Sequence, residues 1–451
     1  MAELALILCI IFVLWLLRAE HKRNPSVSWA LWIPSIWMMK IGTMDLAHWI
    51  GRGDAEKGTG SPYERYLLIF LLCLGLMILY KRRFDWYKVV KESTWLIVLI
   101  CYMFVSIFWS DTPYVSFKRW TRELIAVIMA LLILTEADPR KAMQSVLKRF
   151  IYIVIPLSLL LIVFFPEIGV REYSGGDLAA WRGITGGKNQ LGKLCLISAF
   201  FLFWTLVKSW PGKDDTIVQK QIWIDAIILG ITLILMKGPG IGKMLSITSL
   251  ITLILGLATF FGLLLMRRFK RVIGVKTLKI FIASCIVLGT ASVFVGGLVV
   301  GESVTTAVGR EETLTGRREI WAMFVPEVLK EPFIGHGVGG FWTDKVVKEN
   351  RLNQAHNGYL DILLDYGFVG LVFFSLFLLS SCQKAHRDLS YDYNSGSLLI
   401  CFLVMNVIYA VAEASIDSLA TDLTAVLLFL YVTSGTTQNS GEARENTHDA
   451  Q

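Results

Sequence analysis

Thirteen apolar runs, parted by short polar or basic stretches, constrain this chain more than any motif in it. They cover residues 4–17, 29–50, 66–80, 95–109, 124–134, 151–165, 191–207, 222–236, 244–266, 280–300, 359–381, 398–412 and 423–432. A helix crosses a bilayer with about 17–25 mostly apolar residues, and most of these runs approach that length. The composition agrees, with 55% hydrophobic and 18% charged residues, where a soluble domain carries about 25% charged. The expected fold is all-α: a polytopic membrane helix bundle of about 12–13 spans. No long linker divides it, so residues 1–451 form a single integral membrane domain.

The net charge of +8 does not point to nucleic acid. The basic residues gather in alternate loops, in KRRFDWYKVVK (81–91), ADPRKAMQSVLKR (137–149), KSWPGKDD (208–215) and RRFKRVIGVKTLK (267–279). The positive-inside bias makes these loops cytoplasmic. The first run precedes its charges, Arg18, His21, Lys22 and Arg23, whereas a signal peptide has them in front. It reads as an uncleaved span with the N-terminus outside. The polar tail 434–451 is expected to be cytoplasmic and disordered. The seven cysteines lie in or beside apolar runs with no CxxC pair, as small buried hydrophobes do.

Alternation from the basic loops puts three segments on the outer side: 166–190, 237–243 and 302–358. They bring Arg182, Lys237 and His356 to one face. The last is the largest, and polar chemistry belongs there, as an extracytoplasmic catalytic loop. Ile320, Trp321, Phe324, Val325 and Leu329 recur at helical spacing, which predicts a surface helix against the bundle. Pro332 ends it. Glycines then crowd 335–342; they suit either a phosphate cradle or a plain connector.

His356 precedes Asn357, a good helix N-cap. Its imidazole suits a base or a charged hydrogen-bond donor, or a packing role. Arg182, Lys188 and Asn189 suit either phosphate oxygens or anchoring among headgroups. Arg317 and Arg318 suit capping or snorkelling. The outer loops hold no Asp-x-Asp, HExxH or Gly-x-Ser-x-Gly, and the chain has no Walker lysine loop. Divalent-metal, hydrolase and ATP-driven chemistry lose support. A Gly/Pro-broken element, KGPGIGK at 237–243, favours a transporter of polyanions or lipid-linked sugars, since broken spans survive where they line a cavity. The lack of an internal repeat weighs against one.

Taken together, Thr-Gly-Arg (315–317), Gly-His-Gly (335–337), Phe-Trp (341–342), His-Asn-Gly-Tyr-Leu (356–360) and Gly-x-x-Gly (367–370) resemble the hallmark region of the O-antigen ligase and polysaccharide polymerase superfamily. WIPSIW (32–37), FWSDTPYVSFKR (108–119) and RGITGGKNQLG (182–192) resemble its exopolysaccharide polymerase branch. The resemblance implies a multi-pass glycosyltransferase of the bacterial inner membrane. It would take a glycan from undecaprenyl diphosphate to a sugar hydroxyl on the periplasmic side, without metal or cofactor and with inversion. The acceptor is another repeat in a polymerase and a lipid A core in a ligase. By the same resemblance His356 is the essential loop histidine and Arg182 the first diphosphate-binding arginine. Lys188, Asn189, Lys237, Arg317 and Asn357 are the residues expected to bind the diphosphate or glycan. Where the family has a second arginine this chain has none, leaving Lys237 or Lys243 in its place.

Overall fold

The structure, a computed structural model, describes residues 1–49, 61–82, 85–172, 179–210, 215–238, 246–300, 314–350 and 352–435. Residues 301–313, Lys243 and the tail beyond 435 lie outside that set, so the expected disorder of 434–451 falls almost wholly beyond it. The longer helices are α1 (Ala2–Arg23), α2 (Trp32–Gly42), α3 (Pro62–Lys81), α4 (Thr94–Val105), α5 (Pro113–Leu134), α6 (Pro139–Phe164) and α7 (Lys188–Ser209). They continue with α8 (Thr216–Lys237), α9 (Ile247–Arg268), α10 (Val275–Val300), α11 (Leu314–Lys330), α12 (Gly358–Tyr391), α13 (Tyr393–Tyr409) and α14 (Asp422–Thr433). A two-stranded antiparallel hairpin, Val170–Glu172 with Ala179–Trp181, interrupts the loop before α7.

Every apolar run of the sequence coincides with a helix. Among the described residues eight helices are long and apolar enough to cross a membrane: α1, α3, α6 to α10, and α12. A ninth is counted if Trp86–Glu92 and Thr94–Trp109, bent by 88°, form one span. The expected 12–13 exceeds that number for reasons written in the residues. Helices α2, α13 and α14 have 11, 17 and 12 residues. Helix α5 has 22 residues but carries Lys118, Arg119, Arg122 and Glu123 in its first half.

Helices α6, α7, α13 and α14 form the inner layer; every residue of α14 is buried. Helix α1 lies outermost, with Ile7, Leu8, Ile11, Leu14 and Trp15 facing outward. The stretch 137–149, expected as a cytoplasmic loop, is mostly the first half of α6. Lys141 stays exposed, but Arg140, Lys148 and Arg149 are buried because acids from elsewhere in the chain meet them. Arg140 pairs with Asp388 and Asp392, Lys148 with Asp225, and Arg149 with Glu20. Charge at this depth persists only when paired.

The pairing also orients the bundle. Arg82, just past α3, holds Thr135 and Glu136, just past α5, at 2.6 and 2.7 Å. The two helices therefore run parallel and begin at the same, opposite end of the bundle. The segment 335–342 reaches that end, because Arg119 near the start of α5 donates to the carbonyls of Gly339 and Trp342.

Helix α12 breaks at Gly367, whose φ of 62° is non-helical. The break frees backbone groups that the segment after α11 takes up. Phe368 N donates to Pro332 O at 2.8 Å, Val369 N to Phe333 O at 3.0 Å, and His336 N to Leu364 O at 3.0 Å. A small apolar core forms beneath, from Trp321, Phe324, Phe341, Trp342, Leu360 and Leu364. This bears out the surface helix expected at 316–330: Trp321, Phe324 and Val325 are buried, and only Leu329 turns outward. A Cβ on residue 367 would sit 2.4 Å from the Phe333 backbone. Gly367→Ala is therefore expected to destabilise the protein by more than about 1 kcal/mol, since both the φ and the space demand glycine. A lowered melting temperature in detergent checks this; an unchanged one would show that the break is not fixed by the chain around it.

Candidate active site

The site forms where the N-terminal turns of α7 and α12 meet the turn that follows α13. Asn357 caps α12: its Oδ1 accepts from Tyr359 N at 3.0 Å and Leu360 N at 3.1 Å. Its Nδ2 donates to Val411 O at 2.9 Å. These bonds engage both ends of a fully buried amide. Asn357, expected to bind substrate, instead starts a helix and ties it to the turn after α13. Gly358 N, bonded to Ala410 O at 2.8 Å, closes the same junction.

That cap sets the residue before it. His356 has a φ of 51°, uncommon for a residue with a side chain. On its N-terminal side Ala355 is pinned from two directions. Its carbonyl accepts from Trp321 Nε1 at 3.2 Å, and its N–H donates to Asp361 Oδ1 at 3.0 Å. The imidazole is thus presented by a backbone fixed on both sides, and it remains partly exposed.

Glu413 joins the pieces. Its Oε2 lies 3.2 Å from His356 Nδ1. Its Oε1 accepts from Arg317 Nη2 at 2.5 Å and from Asn189 Nδ2 at 2.8 Å. Four segments distant in sequence therefore converge on one buried carboxylate. Arg317, on α11, is buried with it, so its guanidinium is first of all the counterion of Glu413. An ionised carboxylate only accepts hydrogen bonds. His356 Nδ1 also lies 3.3 Å from the Gln354 amide nitrogen; the carboxylate favours a proton on Nδ1, which leaves Nε2 as a proton acceptor, and the amide nitrogen favours the other tautomer.

Arg182 is positioned by the hairpin. Its backbone N donates to Gly169 O at 2.9 Å and its Nε to Ile168 O at 2.6 Å. Gly183, at φ 53°, has room for no Cβ above Ser158. Lys188 is the first residue of α7 and Asn189 the second, so the Arg182 segment runs directly into the Glu413 cluster. Lys237 closes α8, antiparallel to α7, and is exposed at the same end. Lys193, one turn into α7, pairs with Asp422 at 2.7 Å. In the turn between α13 and α14, burial pushes the Asp417 carboxyl up to about 6, with Lys193 opposing.

The glycines of 335–342 serve the protein itself. Gly335, Gly337 and Gly339 have φ of 60°, 84° and 59°. A Cβ on them would strike the Asp365 backbone, Ser106 O and the Arg119 side chain. Val338 N donates to Ser106 Oγ and Phe341 N to Asp365 Oδ1. Of the two readings open for this segment, the geometry takes the connector. Beside it lies a polar cavity of about 690 Å³, reaching Arg119, Arg122, Gly186, Asn353 and Asp417.

Residues 241–375 match the family model for O-antigen ligase. The chain is also 24% identical over 360 residues to the exopolysaccharide production protein ExoQ of Rhizobium meliloti, covering 76% of each. Over these stretches the chain is similar to O-antigen ligase and exopolysaccharide production proteins. The matched segment holds Arg317 and His356 but neither Glu413 nor Asn189. Sequence reasoning missed Glu413; an acid within the apolar border of a short span, in VAEAS, was the available signal.

Removing Glu413 alone leaves Arg317 buried without its counterion, which typically costs about 3–5 kcal/mol. Glu413→Ala should lower the melting temperature markedly, and Arg317→Met combined with Glu413→Leu should recover much of it. Equal melting of the single and double variants would show that the pair is not coupled.

Proposed function

We propose that this protein is a lipid-linked glycan polymerase acting on the outer side of a bacterial inner membrane. The donor would be a glycan on undecaprenyl diphosphate, and the acceptor a sugar hydroxyl of another lipid-linked repeat. The observation that carries this reading is the triangle of His356, Glu413 and Arg317, set beside the Arg182–Asn189 segment. The name of the Rhizobium relative favours polymer production over attachment to a lipid A core. On this reading the N-terminus is outside and the C-terminus cytoplasmic, since the site lies at the end opposite the basic loops.

The chemistry needs a base and positive charge. His356 Nε2 takes the proton from the acceptor hydroxyl as its oxygen attacks the anomeric carbon. The bond from that carbon to the diphosphate oxygen breaks on the far face, and the configuration inverts. The lipid diphosphate leaves as a stable anion, so it requires cations more than an acid. Arg182, Lys188 and Lys237 are suitably placed to supply them. Glu413 holds the imidazole tautomer and stabilises the imidazolium that forms, a division of labour seen wherever a carboxylate backs a catalytic histidine. Arg317 acts through Glu413, keeping it ionised and in place.

Positioned general bases contribute about 10²–10⁴-fold. His356→Ala should leave the protein inserted and folded, yet cut chain elongation by at least about a hundredfold. The measurement is the size distribution of products from purified protein and a lipid-diphosphate glycan. Elongation at the wild-type rate by that variant would overturn the reading.

A further inference from the structure

One cationic cluster has no part in the chemistry above. Between the first halves of α3 and α5 lies a groove of about 340 Å³. Arg65, Lys118, Arg119 and Arg122 line its upper part, and Leu72 and Ile125 its lower part. Among the described residues no Asp or Glu lines it. Arg65, Arg122 and Arg119 act electrostatically on Lys118, with Asp344 opposing them. Arg119 donates to two carbonyls and also acts on the Asp365 carboxylate, and Lys118 sits 4.8 Å from the Tyr114 ring centre. Among the described residues the side chains of Arg65 and Arg122 form neither an ion pair nor a hydrogen bond. This is the reverse of α6, where each buried cation meets an acid. Four like charges at the margin of an apolar bundle repel one another, and a multivalent anion relieves that. Guanidinium forks fit phosphate oxygens.

We propose that this groove holds a second polyprenyl diphosphate-linked glycan, the acceptor, with its diphosphate among the four cations and its isoprenoid tail along the apolar wall. The inference rests on the polymerase reading above, because a polymerase must hold two lipid-linked substrates together. Ile69 and Phe117, both outward-facing, flank the groove and give the tail an apolar rim. Arg119, Arg122 and Leu68 also line the larger polar cavity. That cavity extends to Gly186, Asn353 and Asp417, close in sequence to Lys188, His356 and Glu413. A glycan anchored in the groove thus has a polar path towards the base. Its own bond to diphosphate stays intact; the hydroxyl proton passes to His356, and the donor's diphosphate departs.

The test counts bound lipid and separates acceptor from donor. Native mass spectrometry of the full chain with undecaprenyl diphosphate should show two bound molecules, and one in the Arg65→Gln/Arg122→Gln variant. Both arginines are exposed, and an unchanged melting temperature confirms that the variant folds; Lys118→Gln provides an independent variant. Loss of charge-assisted hydrogen bonds should raise KM for a lipid-linked acceptor by about tenfold or more, with KM for the donor unchanged. A single bound molecule in the wild type, or displacement of the second by phosphatidylglycerol or inorganic diphosphate alone, would overturn the proposal. Two bound lipids in a wild type that transfers no glycan would instead overturn the polymerase reading.

Discussion

A single carboxylate determines how the site-bearing end of this bundle is assembled. Glu413 stands in the turn after α13, yet it bonds to side chains from the start of α7, from α11 and from the residue before α12. A buried charge is tolerated only if its partners surround it, so these elements cannot move independently. The arrangement converts a desolvation penalty into positional order. It sets the imidazole of His356 beside a carboxylate, and it anchors α11, which would otherwise be joined to the bundle mainly by its small apolar core.

The same rule operates throughout the molecule with different results. Lys148, Arg149 and Arg140 are buried beside acids and hold helices together. Arg65 and Arg122 meet no acid among the described residues. Where charge is balanced it reads as architecture; where it is left unbalanced in a groove it reads as an invitation to a ligand. The glycines of 335–342 follow a parallel logic. They permit close approach, and the groups that approach are Ser106, Arg119 and Asp365.

Much of this was legible in the sequence. The apolar runs located all the membrane helices because hydropathy is a property of contiguous residues. The helix over 316–330 followed from its spacing. What contiguous reading misses is pairing across distance. The basic stretch 137–149 looked like a loop because its acidic partners, Glu20, Asp225, Asp388 and Asp392, lie on other helices. Asn357 was legible as a helix cap, but nothing local shows that Val411 will occupy its amide. The partners of Glu413 were hidden for the same reason, and the charges on α5 hid a 22-residue helix behind an 11-residue apolar run.

The break at Gly367 bears on how such a protein can diversify. The segment 332–336 is stitched into the gap in α12 by backbone bonds, which do not depend on side-chain identity. That seam therefore tolerates exchange of almost any outward-facing residue around it but no change in its length. Variation in the shape of this end of the bundle is channelled away from the seam, towards 343–350, where insertions leave the register of the seam intact.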